Sequence, residues 1–148
     1  MSNVITLREA TGATFRPLTA SEYARLAREL ATPDTIENLR PLRLAVLSSC
    51  SLQFAEPALV VESARRRLQL RTYFGPFGQF EQPLSDPASA LHAFEAEALL
   101  LFMRPEDVDS DFVARFYAGE KTGSALAATI DRLLSCVKAF RARSAKPV

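Results

Sequence analysis

The chain alternates between short, unbroken apolar runs and stretches with apolar residues at helical spacing. Residues 44–47 and 98–103 are apolar throughout, a pattern typical of strands buried on both faces, and residues 69–74 form a further strand between them. Strands that alternate with helices pair in parallel through crossovers that cover both faces of the sheet. The pattern therefore predicts a three-layer α/β domain whose parallel sheet has the strand order 2-1-3.

The amino-terminal part of the chain has a helix signal of its own. Thr19 and Glu22 form a capping box, so a helix is expected to begin at Ala20, and Pro33 is expected to end it. We predict that residues 1–40 form a helical extension and linker, and that residues 41–148 form the α/β domain proper.

Further helices follow from proline positions and apolar spacing. Pro57 suits the first turn of a helix after the first strand, and Asp86, directly before Pro87, is predicted to cap a short helix. Residues 144–148 lead into an apolar position where another strand would begin, so the sheet is expected to be incomplete at its carboxyl end. A long last helix has an apolar face formed by Leu126, Ile130, Leu133, Leu134, Val137 and Phe140.

Composition narrows the function classes. The chain has 148 residues, a formal net charge of +1 and 48% hydrophobic residues, which predicts one folded domain without a field that attracts nucleic acid or anionic membranes. The basic residues 65–67 are expected to complement a helix dipole rather than to bind phosphate. No apolar run is long enough to cross a bilayer, and Cys50 and Cys136 lack the spacing of a zinc site. We expect a cytoplasmic protein with no metal in this chain.

Candidate ligand contacts follow from the predicted topology. In parallel sheets, ligands bind beyond the carboxyl ends of the strands, where the connections diverge. The first strand ends in the polar loop at residues 48–51, and the third strand ends at Arg104. We therefore expect the site to lie between this loop and Arg104.

Several blocks of the sequence carry a family resemblance. Residues 44–51 resemble the first block of SGNH hydrolases, in which a nucleophile follows the first strand, and they are most similar to its variant in FkbH-like proteins. The resemblance continues through residues 73–82 and 86–94 and ends near residue 108. The order and spacing of the blocks make the match specific. It implies a fold of SGNH or flavodoxin type.

The resemblance implies the amino-terminal domain of a larger protein. In FkbH-like proteins a second domain, a phosphatase of the haloacid dehalogenase superfamily, takes a phosphorylated glyceryl unit, removes the phosphate and passes the acyl group to an acyl carrier protein of polyketide-type biosynthesis. Mg²⁺ is implied for that second domain, and no cofactor is implied for this chain. The candidate nucleophiles are Cys50 and Ser51, and the expected ligand contacts are Ser48, Ser49, Ser51, Gly78, Gln79, Gln82, Ser89 and Arg104.

The chain departs from SGNH enzymes in the partner for its nucleophile. Cys50 or Ser51 needs a general base, but the only histidine, His92, lies in a short predicted helix and not in a late Asp-x-x-His block. Residues 107–111 contain the Asp-x-Asp pattern of a haloacid dehalogenase nucleophile motif, but this pattern does not directly follow the third strand. A solvated helix start therefore explains the segment better than a phosphatase nucleophile does. We predict a non-catalytic domain that positions substrate or carrier protein. The alternative is a free-standing SGNH-type esterase or thioesterase, and a flavin binder ranks last because no glycine-rich loop follows the first strand.

Overall fold

The computed structural model describes residues 18–31, 39–121 and 123–143. Their contacts form two compact units, an amino-terminal unit within Met1–Arg43 and Leu52–Thr72 and a carboxyl-terminal unit within Leu44–Ser51 and Tyr73–Val148. A short 3₁₀ helix, Gln53–Ala55, precedes the second helix. The other elements are α1 (Ala20–Leu30), β1 (Arg40–Ser48), α2 (Glu56–Arg65), β2 (Leu68–Phe74), α3 (Glu81–Ser85), α4 (Ala90–Ala93), β3 (Ala98–Phe102), α5 (Pro105–Val108), α6 (Phe112–Tyr117) and α7 (Gly123–Arg143).

The three strands form one parallel sheet in the order β2-β1-β3, which confirms the predicted order. β1 pairs with β3 from Leu44 opposite Ala98 to Ser48 opposite Phe102. β1 begins at Arg40, before its apolar centre at residues 44–47, and the more exposed residues that precede this centre also adopt strand geometry. The layering of an SGNH or flavodoxin fold stays a prediction.

In the amino-terminal unit, two helices pack on each other. α1 begins at Ala20 as predicted: the Thr19 hydroxyl accepts the Glu22 N–H at 3.3 Å, and the Glu22 carboxylate accepts the Thr19 N–H at 2.8 Å. The predicted stop at Pro33 lies outside the described residues, and the predicted domain boundary near residue 40 stays a prediction. The buried residues shared by α1 and α2 are Leu26, Leu30, Val61 and Ala64.

The arginines at the end of α2 pair within their own helix. The Arg65 guanidinium lies 2.7 Å from the Glu62 carboxylate, and Arg66 donates to the Glu62 carbonyl oxygen at 2.9 Å. These contacts hold the positive charges at the carboxyl end of α2, where they complement the helix dipole.

A second apolar cluster forms the core of the carboxyl-terminal unit. It packs side chains of β1 against the short helices and against α7, which contributes Phe140. Part of the predicted apolar face of α7 does not reach this core, because Leu126, Ile130 and Leu134 remain 42–48% exposed. Within the part of the chain that the structure describes, no helix combines the length and apolarity needed to span a bilayer.

The short helices differ from the prediction. Asp86 follows α3 and does not begin a helix, because its carboxylate accepts the Ala88 N–H at 2.9 Å and stabilises a turn. Ser89 takes the N-cap position of α4 in its place. The predicted cap at Asp86 is therefore wrong, since aspartate before proline stabilises a turn as well as a helix start. Helices α3, α5 and α6 contain only 5, 4 and 6 residues, too few to show helical spacing in the sequence.

Candidate functional site

The carboxyl ends of β1 and β3 lie side by side in the carboxyl-terminal unit. Ser48 is in register with Phe102, and the Ser49 N–H donates to the Phe102 carbonyl at 3.0 Å, which extends the pairing by one residue. The chain then leaves the sheet at residues 49–51 after β1 and at Arg104 after β3. The structure thus brings together the two segments that the sequence placed at the site.

Ser49 is a buried polar residue at this edge, with 5% of its surface exposed. Its Oγ accepts the Arg104 N–H at 2.9 Å. The pKa of the Asp107 carboxyl is lowered by hydrogen bonds from Arg104 and, to a smaller extent, from the Ser49 hydroxyl. The Ser49 hydroxyl therefore links the loop after β1 to the residues that follow β3.

Arg104 and Asp107 form a bidentate pair across the first turn of α5. The Arg104 Nε and Nη2 donate to the two carboxylate oxygens of Asp107 at 2.6 and 2.8 Å. The hydrogen bond and charge of Asp107 raise the pKa of Arg104 above its ordinary value. Arg104, predicted as a ligand contact, thus holds a wall of the site in place.

A cleft of about 370 Å³ opens beside Asp107. Arg132 of α7 forms another part of its wall, with Nε 2.7 Å from the Glu81 carboxylate and the guanidinium carbon 6.0 Å from the centre of the Phe80 ring. The cleft therefore brings two amide side chains and the Arg132 cation together with two carboxylates, Glu81 and Asp107, each of which pairs with an arginine. Its lining residues are Gly78, Gln79, Phe80, Glu81, Gln82, Asp107 and Arg132.

The predicted ligand contacts divide into two groups. Gly78, Gln79 and Gln82 line the cleft, whereas Arg104 contacts its wall through Asp107 and Ser49 contacts Arg104. These residues come from separate segments of the chain, which the fold brings together at one edge of the sheet.

The side chains of the other three predicted contacts neither line the cleft nor hydrogen-bond to its wall among the described residues. The Ser48 hydroxyl donates to the Cys50 carbonyl at 2.5 Å, and Ser51 is exposed on the loop. The Ser89 hydroxyl donates to the Pro83 carbonyl at 2.7 Å, between α3 and α4. In the described structure, the Ser48 and Ser89 hydroxyls therefore stabilise the backbone locally.

Neither candidate nucleophile is paired with a general base in the part of the chain that the structure describes. Within the described ranges, no histidine or carboxylate hydrogen-bonds Cys50 or Ser51. His92 lies 3.3 Å from the Leu84 carbonyl, and its ring packs 5.2 Å from the Phe140 ring centre. Among the same residues, no group of three or more side chains is arranged to ligate a metal ion.

The sequence alone did not single out Arg132. Its position next to Leu133, an inward residue of α7, was the available signal, because a long basic side chain beside an apolar face can cover neighbouring core residues. The sequence predicts a solvated helix start for residues 107–111, and in the structure Asp107 lies within α5, whereas Asp111 directly precedes α6. The spacing of Arg104 and Asp107 was the signal for their ion pair.

These features define an α/β domain with a polar cleft at the carboxyl ends of its parallel strands. Residues 43–142 match the family model described as FkbH, N-terminal domain. The chain belongs to this family.

A solved structure has a similar fold. It is the crystal structure of the N-terminal part of the protein BF1531 from Bacteroides fragilis, which contains a phosphatase domain and is complexed with Mg. The likeness has a TM-score of 0.61 and 17% sequence identity, and it covers 85% of this chain but 31% of that one. At this identity the likeness shows the fold alone. The search of curated proteins returned no match.

Proposed function

We propose that this domain binds the phosphopantetheine arm of an acyl carrier protein and positions the acyl group that the arm carries. The composition of the cleft is the observation that supports this function. The arm consists of a phosphate, two amides and a terminal thiol. Arg132 offers a cation for the phosphate, and Gln79 and Gln82 offer amide donors and acceptors for the arm's own amides.

Arg132 is available for such a ligand despite its contact with Glu81. The two side chains are 52% and 49% exposed. An ion pair between exposed side chains contributes only about 0–1 kcal/mol, so a phosphate can compete for the guanidinium at little cost.

The proposed role is non-catalytic. Acyl transfer by Cys50 or Ser51 would need a base that removes the proton of the nucleophile. The buried Ser49 hydroxyl accepts the Arg104 N–H, and His92 packs against Phe140. The polar groups of this edge therefore suit binding better than bond cleavage.

The proposal includes a larger protein. The family membership, and the phosphatase domain in the structurally similar protein, support a phosphatase domain of haloacid dehalogenase type that follows this domain. In this proposal the phosphatase domain holds Mg²⁺ and supplies the glyceryl group. The protein works in the cytoplasm in polyketide-type biosynthesis, and this domain has an SGNH-like fold.

The test compares binding of one carrier protein with and without its phosphopantetheine arm. Titration calorimetry should show binding of the carrier protein that bears the phosphopantetheine arm, the loaded form. The form without the arm, the unloaded form, should bind at least about tenfold more weakly, because one charge-assisted contact is worth about 1.5–3 kcal/mol. Arg132→Gln should reduce the affinity for the loaded form by a similar factor, whereas Arg141→Gln on the same helix should leave it unchanged.

Equal affinity for the two carrier forms, or no binding of either, would contradict the proposal. A parallel assay for hydrolysis of an aryl ester distinguishes the esterase alternative. Turnover that disappears in the Cys50→Ala and Ser51→Ala variants would show that the domain is an enzyme.

A further inference from the structure

A second concave surface lies within the amino-terminal unit, and the carrier-binding proposal does not use it. This groove has a volume of about 690 Å³. One wall is α1 with its C-cap residue, which present the small residues Ala24, Ala27 and Ala31, and the start of α2 contributes Pro57 and Val60. The other wall is β2.

The contribution of β2 indicates which part of the strand faces the groove. Four consecutive residues, Gln69 to Thr72, line it. Side chains of successive strand residues point to opposite faces of a sheet, so a groove that meets four in a row runs along the backbone edge of the strand. In the described structure β2 pairs with β1 alone, so this is its unpaired edge.

An unpaired strand edge presents backbone N–H and C=O groups that can pair with another extended chain. Four residues of strand are about 13 Å long, enough for a short peptide segment to form several main-chain hydrogen bonds. The alanines of α1 leave room beside this edge because their side chains are small. The groove thus has the arrangement of sites that recognise peptides by strand addition, with a strand edge on one side and a helix on the other.

The charged residues that line the groove indicate which charge a bound peptide segment carries. Arg28 and Arg71 are both exposed and line the groove, and no carboxylate contacts either guanidinium within the described ranges. The one carboxylate in the lining, Glu56, accepts a hydrogen bond from the Thr72 hydroxyl. The surrounding unit is also basic, because its described residues include eight arginines and four glutamates as their only charged side chains.

We infer that the free edge of β2 and the facing surface of α1 bind an extended peptide segment of a partner protein, with apolar residues in alternation and an acidic residue that pairs with Arg28 or Arg71. Main-chain pairing with β2 provides affinity, and the two arginines select the acidic residue. An extended nucleic acid fits less well, because the chain as a whole has a net charge of only +1.

The test uses a set of acetylated seven-residue peptides of alternating valine and threonine, with one glutamate at each position in turn. Binding is followed by amide NMR on the isotope-labelled chain. We expect shifts at residues 69–72 and slower hydrogen exchange at alternate amides of β2. Methylation of the peptide nitrogens that face β2 removes main-chain hydrogen bonds and should weaken binding at least about tenfold. Methylation of the nitrogens on the opposite edge of the peptide should not weaken binding.

Two chain variants separate binding from folding. Arg71→Glu should weaken binding of the glutamate peptides at least about tenfold and favour the same peptides with lysine, whereas Arg141→Glu on α7 serves as the matched charge control. Ala24→Trp should block the groove, and Ala128→Trp, on the exposed side of α7, is its matched control. Should Ala24→Trp fail to fold, the charge reversal still decides the question.

The inference is overturned if none of the peptides binds at about 1 mM, or if methylation of either edge has the same effect. It is also overturned if decanoate or a short RNA produces the β2 shifts and the peptides do not. Failure of carrier-protein binding would not affect this test, because that binding is assigned to different residues.

Discussion

The cleft beside Asp107 and the groove along β2 use their arginines in opposite ways. In the cleft, the Arg104 and Arg132 guanidiniums contact carboxylates at 2.6 and 2.7 Å. In the groove, Arg28 and Arg71 contact no carboxylate in the described structure. Arg104 therefore holds a wall of the cleft, and a ligand of Arg132 must displace the exposed Glu81 carboxylate, whereas the groove arginines have no carboxylate to displace within the described residues.

The two surfaces also differ in what supports them. The cleft is joined to the end of β1 by the Gly78 N–H, which donates to the Ser48 carbonyl at 3.2 Å, next to Leu47, which is fully buried in the core of its unit. The groove is lined by Val60 and Leu70, which are only partly buried. Side chains in a close-packed core have little freedom to move, so the cleft is expected to be preformed and the groove to adapt to its ligand.

The largest expected difference is in the free energy of unfolding lost when an apolar side chain beneath each surface is truncated. Leu47→Ala should lower the free energy of unfolding by about 2–5 kcal/mol, because it leaves a cavity in a packed core. Leu70→Ala should cost about 1 kcal/mol, since that side chain is partly exposed in the folded protein. Urea denaturation of both variants measures the difference. Equal losses would contradict the contrast between a packed and an adaptable surface.

A smaller effect is expected from the buried hydroxyl of the cleft. Ser49→Ala should destabilise the protein by about 1–3 kcal/mol, because it removes the acceptor of the Arg104 N–H. Ser51→Ala, two residues along the same loop, should change stability by less than about 0.5 kcal/mol, since Ser51 is exposed. Thermal unfolding of the pair is the measurement, and a neutral Ser49→Ala variant would show that the hydroxyl does not support the site.

The pH dependence of stability should report the ionisation of the Asp107 carboxyl. Its pKa is lower in the folded chain than the value of about 3.9 expected when unfolded. The charged carboxylate therefore adds stability that is fully present above the unfolded pKa and is lost as the pH falls through the folded pKa. At pH 7 the urea midpoint of unfolding should be higher for the wild type than for Asp107→Asn. The difference between the two midpoints should narrow below a pH of about 4. A gap that does not depend on pH would contradict the ion pair.

The smallest effect on stability is expected at the groove. Arg71→Gln should change the free energy of unfolding by less than about 0.5 kcal/mol, because the guanidinium has no partner to lose in the described structure. Chemical denaturation checks this directly. A clear destabilisation would mean that Arg71 serves the fold and is not free for a ligand.

The sheet was predictable because its signals are local. The apolar runs at 44–47 and 98–103 identify strands buried on both faces, and the right-handed crossover rule then leaves the order 2-1-3. The capping box at Thr19 marked the start of α1 to the residue. Asp86 was assigned wrongly because a turn and a helix start use the same side chain, and only the position of α3 decides between them.

The candidate site was predictable in location but not in its contacts. The end of β1 and Arg104 could be placed at one edge by the sheet topology alone. The spacing of Arg104 and Asp107 indicates their ion pair, but the approach of Arg132 to Glu81 across 51 positions of sequence depends on how α3 and α7 pack. Such long-range side-chain pairs leave no periodic signal in a single sequence.

Chemical-shift mapping with the loaded carrier protein tests the central claim most directly. With phosphopantetheine in the cleft, the shifts should concentrate at residues 78–82 and at Arg132, and the carrier without its arm should not produce them. Shifts confined to residues 69–72, or identical shifts with both carrier forms, would contradict the assignment of the cleft as the site that positions the arm.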